Sequence, residues 1–283
     1  MARWCVGEGA QVTVADTRDS PPQLQALRDQ LPQARFVSGP FGEVLLEDGV
    51  QLVLRSPGLS PEQAAPVLAP ARQRGIPVGG ELSLFATALA DLKSGQGYAP
   101  VVLAVTGTNG KTTVTALAGQ LVERAGKAVA VAGNIGPTLL DTLGEKIAAG
   151  ALPQVWVIEL SSFQLEAAGD FEPTAAAVLN VTQDHLDWHG TMDAYAAAKA
   201  RVFGKGALMI LNREDPRVMQ MLPDPVRVKG GRMEQREFVT FGADVPRRAG
   251  DFGIETVNGM AWLVRAIAAD ETQKRKKDSE EEL

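Results

Sequence analysis

Seven short apolar runs, separated by longer helical segments, constrain the fold of this chain most. The runs are QVTVAD, QLVLRSPG, VVLAVTG, AVAVAGN, QVWVIEL, AAAVLNV and ALMILN. Their β-branched and apolar content is typical of strands that are buried on both faces of a parallel sheet. The Ala- and Leu-rich segments between them supply the crossover helices that parallel strands require. The sequence therefore predicts an α/β fold built on mostly parallel sheets.

An irregular stretch divides this pattern into two predicted domains. Residues 94–100 are rich in Gly, Ser and Pro and indicate an interdomain linker. We therefore predict a first domain over 1–93 and a central domain over 101–269. The first domain opens on a helix end followed by a strand that finishes at Asp16, so it resembles a Rossmann-like unit without its first strand. Residues 270–283 form a dense mixed-charge run, which predicts a disordered tail.

Composition excludes several classes of protein. The chain has 283 residues, 45% of them apolar and 22% charged, which suits two globular domains rather than a disordered chain. It shows neither a long uncharged apolar run nor a signal peptide, so we expect a cytoplasmic protein without membrane insertion. The net charge of -6 argues against nucleic acid as a partner. The single cysteine, Cys5, excludes an internal disulfide and a multi-cysteine zinc site.

The stretch LAVTGTNGKTTVTAL, residues 103–117, joins an apolar run to a helical segment through a glycine-containing turn. Such a turn directs successive backbone N–H groups at the start of a helix, where polyphosphate fits. Lys111 supplies a charge for the β- and γ-phosphates, and the Thr112 hydroxyl is placed to bind Mg²⁺. The full P-loop pattern requires glycine at 105, where this chain has Val105. The alternative is an ordinary turn with a solvent-facing lysine.

Glu159 follows the apolar run VWVI and is expected at the carboxyl end of the sheet, where open α/β folds bind ligands. A carboxylate at that edge indicates a metal ligand. The alternative is that Glu159 only ends the strand before a helix that begins at Ser161 and Ser162.

The segment NVTQDHLDWHGTMDAYAAAKARVF contains both histidines of the chain, His185 and His189. Their spacing allows a zinc site, but the intervening Trp and the following Gly disfavour a stable metal-binding helix. Thr191 is a predicted N-cap of an Ala-rich helix that places Lys199 on the same apolar face as Tyr195, Val202 and Phe203. The lysine either extends its charge to solvent or has a function there.

Four segments carry a family resemblance: GTNGKTT, GNIG, ELSSFQLE and LNVTQDHLDWHGTMDAYAAAKARVF. In this order and spacing they resemble the ATP-dependent Mur ligases of bacterial cell-wall synthesis, over about residues 2–268. Together with ELSSFQLE, the segments VADTR and SPG of the first domain make the resemblance strongest to the D-glutamate-adding members. Folate polyglutamate ligases share the nucleotide loop but not this combination.

The resemblance implies an amide ligase whose substrates are ATP, UDP-N-acetylmuramoyl-L-alanine and D-glutamate. ATP phosphorylates the substrate carboxylate, and the amine of D-glutamate then displaces phosphate. The implied catalytic residues are Lys111, Glu159, His185 and Lys199, with two Mg²⁺ ions. Thr112 and Glu159 would hold the first ion, and His185 and Lys199 the second. Lys199 would carry a CO₂-derived carbamate, which forms only on a neutral amine and is therefore favoured by burial.

The resemblance also implies two sets of binding residues, and we expect the protein to be a monomer. The ATP-binding residues are Gly107, Thr108, Asn109, Gly110, Lys111, Thr112 and Thr113. The substrate-binding residues are Asp16, Thr17, Arg18, Gly80, Asn134, Ser161 and His185, of which the first four line the uridine-nucleotide pocket.

Family members carry a strand and a glycine turn before the matching region and a third α/β domain after it. We therefore expect this chain to be a fragment that lacks the C-terminal domain and cannot complete ligation. Two other interpretations stay open. The first is a nucleotide-binding module without catalysis. The second is a P-loop kinase or switch, motivated by the Gly-Lys-Thr core, although such proteins usually have Asp where this chain has Glu159.

Overall fold

The computed structural model of the chain describes residues 1–47, 49–227 and 231–268. The helices are α1 (Ala2–Gly7), α2 (Leu24–Gln30), α3 (Pro61–Gln73), α4 (Glu81–Gln96), α5 (Lys111–Arg124), α6 (Leu139–Ala148), α7 (Ser162–Glu166), α8 (Leu186–His189), α9 (Met192–Ala200) and α10 (Pro216–Met219). The strands are β1 (Thr13–Asp16), β2 (Arg35–Ser38), β3 (Val53–Leu54), β4 (Val78–Gly79), β5 (Val101–Thr106), β6 (Val129–Gly133), β7 (Val155–Glu159), β8 (Ala175–Val178), β9 (Leu208–Asn212), β10 (Val226–Arg227), β11 (Met233–Glu234), β12 (Phe238–Phe241), β13 (Phe252–Val257) and β14 (Met260–Arg265). The predicted tail, 270–283, lies outside the described residues. None of the helices in the described ranges is both long and apolar enough to cross a bilayer.

A sheet of eight strands forms the centre of the structure, in the order β14-β13-β12-β9-β8-β5-β7-β6. Every neighbouring pair is parallel except β13 and β14. All seven predicted apolar runs form strands, and five of them belong to this sheet. Every residue of β7 and β8 is buried. The prediction of a mostly parallel α/β fold with strands covered on both faces is thus confirmed for the central sheet.

Helix α4 packs into the core of this sheet although it belongs to the predicted first domain. Its Phe85 is fully buried, and its ring centroid lies 5.0 Å from that of Trp156 on β7, in an edge-to-face arrangement. The helix continues to Gln96 and ends at Gly97, whose left-handed conformation (φ 70°) closes it. Three residues of the predicted linker, 94–96, are therefore helical, because the apolar face of α4 remains in contact with the core.

The N-terminal unit contains two separate parallel pairs, β1 with β2 and β3 with β4. The prediction that the first two apolar runs are buried on both faces is wrong, since β1 and β3 contain only partly buried and exposed residues. A strand in a two-stranded pair has one uncovered edge and few neighbours to bury its side chains. A small second core, formed by Leu46, Ala64, Val67, Leu68 and Ala71, supports this unit. The division into domains at 1–93 and 101–269 remains a prediction.

Candidate active site

The loop between β5 and α5 lies at the carboxyl edge of the central sheet, as the sequence predicted. Gly110 is the N-cap of α5 and has a left-handed backbone (φ 82°), which glycine adopts without strain. A Cβ atom on Gly107 would lie 3.0 Å from the Cβ of Leu179, so only glycine lets the loop pass this close to the end of β8. The main-chain amides of the first turn of α5, residues 111–113, have no intrahelical acceptor. Free amides at the start of a helix are suited to an anion.

Two lysines converge on one carbonyl group of this loop. The Lys111 ammonium donates hydrogen bonds to the carbonyl oxygens of Gly107, at 3.1 Å, and Thr108, at 2.9 Å. The Lys199 ammonium donates to the same Gly107 oxygen at 2.8 Å. Two lysines 88 positions apart in the sequence therefore share one hydrogen-bond acceptor in the loop between β5 and α5.

Lys199 does not extend to solvent; its side chain is only 1% exposed. Its ammonium nitrogen also lies 4.5 Å from the centre of the Tyr195 ring. Burial, with a smaller contribution from the nearby charge of Lys111, lowers the pKa of Lys199 to about 7. A neutral amine is thus accessible near physiological pH. This excludes the alternative of a solvated surface lysine.

Glu159 ends β7, where it lies in register between Val105 of β5 and Gly133 of β6. Its carboxylate is 1% exposed and accepts one hydrogen bond from the Thr112 hydroxyl and one from the Asn134 side-chain amide, both at 2.9 Å. Both donors are neutral, so the negative charge of the carboxylate is not balanced by them. Glu159 also precedes a helix, as the alternative prediction proposed: Ser161 caps α7 by accepting from the Gln164 amide at 3.3 Å.

The oxygen atoms around Glu159 fit Mg²⁺. The described residues hold no group of three or more His, Cys, Asp or Glu side chains suited to a metal. Mg²⁺ is commonly bound by one or two protein oxygens and completes its shell with water and substrate phosphates. The carboxylate of Glu159 and the hydroxyl of Thr112 lie together beside the anion-binding start of α5, which is the arrangement such an ion needs.

Asn180 and Thr182, which follow β8, hold the loop in place, and sequence reasoning missed both residues. The Thr108 amide donates to the carbonyl oxygen of Asn180 at 2.9 Å, and the Asn109 amide donates to the Asn180 side chain at 2.8 Å. The Thr182 amide donates to the Thr108 hydroxyl at 3.0 Å, and the Tyr195 hydroxyl lies 3.2 Å from it. The amides of Thr108 and Asn109 are therefore already engaged. The sequence feature that could have identified them is the polar run directly after β8, because β8 pairs with β5 and the ends of the two strands are neighbours.

Both histidines belong to an aromatic cluster that also contains Phe163, Trp188 and Tyr195. His185, in a left-handed conformation (φ 51°), packs against Phe163 at 4.8 Å between ring centroids and against Tyr195 at 6.2 Å. His189 stacks on Phe163, and its Nε2 lies 2.9 Å from the Ser162 hydroxyl. Burial lowers the pKa of His189 to about 4, with a smaller contribution from Lys199. His189 is therefore engaged by aromatic and hydroxyl partners, whereas the Nε2 atom of His185 lies 3.4 Å from a carboxylate oxygen of Asp184.

The structure brings the four predicted catalytic residues to one end of the sheet. Lys111 and Lys199 donate to the same Gly107 carbonyl oxygen. Glu159 accepts a hydrogen bond from Thr112, the residue after Lys111. His185 packs against the Tyr195 ring, which also lies beside the Lys199 ammonium. Thr113 lies exposed in the first turn of α5.

The predicted uridine-pocket residues lie in the N-terminal unit. Asp16 ends β1 and accepts two hydrogen bonds from the Arg18 guanidinium, both at 2.9 Å, while Thr17 is exposed. These bonds hold the pKa of Asp16 at about 2. Gly80 is the N-cap of α4, and a Cβ atom there would lie 3.3 Å from the Cβ of Ala167. Gly80 thus marks where the two parts of the chain touch.

Comparison with known proteins gives the same assignment along the whole chain. Residues 105–245 match the family model of the Mur ligase middle domain, and residues 1–80 match that of the Mur ligase MurD-like N-terminal domain. A UDP-N-acetylmuramoylalanine--D-glutamate ligase of Albidiferax ferrireducens is 67% identical over 284 residues, covering 100% of this chain and 56% of that protein. Proteins of the same name from Polaromonas sp. and Paraburkholderia phymatum are 51% and 56% identical; they cover 100% and 99% of this chain, which covers 63% and 55% of them. The chain spans little more than half the length of the curated relatives it matches. It belongs to the Mur ligase family.

Proposed function

We propose that this chain forms part of an ATP-dependent ligase that adds D-glutamate to UDP-N-acetylmuramoyl-L-alanine in peptidoglycan precursor synthesis. The names of the relatives support this assignment. The observation that carries it is the convergence of Lys111 and Lys199 on the Gly107 carbonyl, beside the Glu159 carboxylate. The Lys111 ammonium, the buried Lys199 amine and the Glu159 carboxylate lie around a helix start that suits phosphate. A cytoplasmic location and a monomeric state are part of the proposal.

The phosphates of ATP are proposed to bind the amides from Gly110 to Thr113. The hydrogen bonds of Thr108 and Asn109 to Asn180 give these two residues a positioning role in the ATP site. Lys111 would move its ammonium from the carbonyl oxygens of Gly107 and Thr108 to the transferring phosphoryl group. The movement would be short, because Lys111 is the first residue of α5, whose start is the proposed phosphate site.

Thr112 and Glu159 would hold the first Mg²⁺, and His185 together with carbamylated Lys199 the second. A bound Mg²⁺ neutralises phosphate charge where the two anionic substrates meet. An ammonium group is no ligand for Mg²⁺, whereas a carbamate offers anionic oxygens of the kind that Mg²⁺ prefers. The burial of Lys199 and its pKa of about 7 support carbamylation, because CO₂ adds only to the neutral amine.

The reaction proceeds in two steps. The γ-phosphoryl group passes from ATP to the carboxylate of the muramoyl-alanine substrate, which gives ADP and an acyl phosphate. The neutral amine of D-glutamate then attacks the acyl carbon, so that an amide bond forms, phosphate leaves and the amine loses a proton. Both anions repel each other in the first step, and Lys111 lowers that repulsion at the point of transfer.

The substrate itself is proposed to contact both parts of the chain. Asn134, Ser161 and His185 would face its muramoyl-alanine end. The location of Asn134 at the Glu159 carboxylate supports this, because the acyl group must reach that point. Asp16, Thr17, Arg18 and Gly80 would line the uridine pocket, supported by their position at the ends of β1 and β4.

The assignment is tested by phosphate release. Because the chain spans little more than half of its relatives, we would compare it with a chimera that adds the unmatched regions of the Albidiferax ferrireducens relative. We expect the chimera to release phosphate from ATP only with UDP-N-acetylmuramoyl-L-alanine and D-glutamate present, and the chain alone to bind ATP without turnover. A chimera that folds and binds ATP but releases no phosphate rejects the ligase assignment. Product formed by the chain alone rejects the fragment hypothesis.

Lys199→Ala in the chimera tests the carbamate. We expect at least a hundredfold loss of kcat, in line with about 10²–10³ for removal of one transition-state contact, and partial recovery with added acetate. Lys93→Ala, on the exposed end of α4, is the matched control and should keep full activity. Full activity of Lys199→Ala without acetate would remove Lys199 from the mechanism.

A further inference from the structure

Asp215 is the N-cap of α10, and its carboxylate contacts two separate segments of the chain. One oxygen, Oδ1, accepts from the backbone amides of Arg217, at 2.9 Å, and Val218, at 3.3 Å, and so caps the helix. The other oxygen, Oδ2, accepts from the backbone amide of Val181 at 2.7 Å. Val181 lies three residues after the end of β8. The cap of α10 thus holds the segment from which Asn180 contacts the loop between β5 and α5.

This cap differs chemically from the other side-chain caps in the described part of the chain. Those caps are the hydroxyl groups of Ser60, Thr138, Ser161 and Thr191. Each hydroxyl accepts from a backbone amide of its own helix. A carboxylate has two acceptor oxygens, so it can serve two segments at once, whereas a hydroxyl has one. Capping α10 requires only one oxygen of Asp215, and the second is left for Val181.

The end of β9 adds a second contact to the same segment. The Asn212 side-chain amide donates to the carbonyl oxygen of Leu179 at 2.8 Å. Its side-chain oxygen accepts from the Glu214 amide at 3.0 Å, within the turn that leads to Asp215. Val181 is only 4% exposed, so its amide would have little water to replace a lost carboxylate. The segment after β8 is therefore held from the β9 side by two side chains.

A single peptide group connects Asp215 to the loop. The Val181 amide, which Asp215 accepts, and the Asn180 carbonyl belong to the same planar unit. That carbonyl accepts from the Thr108 amide at 2.9 Å. In a trans peptide the N–H and C=O groups point in opposite directions, so the unit spans the distance from α10 to the loop. A carboxylate on its N–H side also polarises the group and strengthens its carbonyl as an acceptor.

We infer that Asp215 is a positioning residue of the ATP site, which acts on Thr108 through the peptide group between Asn180 and Val181. This rests on the proposed function, because it takes the loop between β5 and α5 to bind ATP. A loop that adopts its binding conformation for only part of the time binds its ligand more weakly by that fraction. Asp215 raises this fraction without contacting ATP.

Asp215→Ser tests the inference in the 283-residue chain. Serine keeps a good N-cap for α10, but its single hydroxyl cannot also reach the Val181 amide. We expect the Kd for ATP, measured by calorimetric titration, to rise about three- to tenfold, the change that corresponds to one net hydrogen bond. Without nucleotide, hydrogen exchange of the Thr108 and Asn109 amides should become faster by a similar factor. Asp215→Asn has one acceptor oxygen at unchanged size, and its ATP Kd should rise in the same direction.

Glu172→Gln is the matched control. The Glu172 carboxylate also accepts from backbone amides, those of Lys205 and Gly206, but at the opposite end of β9. This variant should bind ATP like the parent and leave exchange in the loop unchanged. In the chimera, Asp215→Ser should raise the KM for ATP by the same factor as the Kd and change kcat less than twofold. Bound ATP itself then orders the loop, and Lys111 and Glu159 are intact.

Three results would overturn the inference. An ATP Kd and a Thr108 exchange rate equal to those of the parent would show that Asp215 does not act on the loop. Faster exchange throughout α5 and β7 together with a lowered Tm would show a purely structural carboxylate. A loss of kcat as large as the loss of kcat/KM would place Asp215 in the chemical step. Failure of the proposed function is distinguishable, because it appears as absent phosphate release in the chimera, whereas exchange of Thr108 is measured without nucleotide.

Discussion

Asp16 and Glu159 occupy equivalent places in two regions of the molecule, each at the carboxyl end of a parallel strand, yet their surroundings differ. Asp16 ends β1 in a two-stranded pair and is neutralised by the bidentate contact of Arg18, two residues later. Glu159 ends β7 in the middle of eight strands and has only the neutral donors Thr112 and Asn134. The carboxylate in the wide sheet therefore has no cationic hydrogen-bond partner among the described residues.

The difference shows how the width of a sheet determines what its edge residues can do. A strand with neighbours on both sides fixes its last residue against backbone from two directions, as Val105 and Gly133 do for Glu159. A strand in a pair leaves its end open to water, where a flexible arginine can reach the carboxylate. We therefore expect preorganised chemistry to concentrate at the wide sheet and the N-terminal unit to supply binding contacts.

The largest expected effect is a difference in kcat between variants of the two carboxylates, Glu159 and Asp16. Glu159→Gln keeps the shape and an acceptor for Thr112 but removes the charge, so we expect kcat of the chimera to fall by about 10²–10³. Asp16→Asn should keep kcat and raise only the KM for the uridine-linked substrate. Steady-state kinetics with each substrate varied measures both. Comparable losses of kcat in the two variants would contradict the division between catalytic sheet and binding unit.

Two glycines sharpen the comparison for stability. Gly133 at the end of β6 (φ 126°) and Gly39 after β2 (φ 121°) have nearly the same backbone conformation. Alanine at either costs about 1–3 kcal/mol in backbone strain. At Gly133 the new Cβ would also lie 2.2 Å from the carbonyl oxygen of Glu159, whereas Gly39 has open space. We expect Gly133→Ala to lower the free energy of unfolding by a further 1–3 kcal/mol, roughly the cost of overpacking.

Urea unfolding of the two alanine variants gives this difference directly. Because Gly133 contacts Glu159, the chimera that carries Gly133→Ala should also lose activity, while Gly39→Ala should not. Equal losses of stability would mean that the wide sheet accommodates the methyl group as easily as the open N-terminal turn does.

The smallest expected effect is a pH dependence that originates in the aromatic cluster. The pKa of His189 is lowered to about 4 from its ordinary value of 6.5, mainly by burial. The folded state thus prefers the neutral imidazole, so its contribution to stability is complete above pH 6.5 and is lost as pH falls toward 4. We expect His189→Gln to reduce the loss of unfolding free energy between pH 7 and pH 4.5 by about 1–2 kcal/mol, after allowance for partial exposure. An unchanged pH profile in urea unfolding would contradict the burial of His189.

Much of the candidate site was accessible from sequence because it depends on local geometry. The glycines and Lys111 identify the loop, because a glycine turn between an apolar strand and a helix leaves the backbone N–H groups at the helix start free to bind an anion. Glu159 follows from the same reasoning, because the last residue of a parallel strand reaches the carboxyl edge wherever the strand lies in the sheet. The family resemblance added roles that local geometry does not contain.

The sequence by itself determined the α/β class, the central strands and the loop, because periodicity and turn chemistry act over a few residues. Tertiary structure alone decided that Asn180 holds the loop and that Lys199 shares a carbonyl with Lys111. It also decided that the first two apolar runs stay partly exposed and that Asp215 reaches the Val181 amide. These outcomes depend on which strands become neighbours and which side chains lose water, and both are set by packing between segments far apart in the chain.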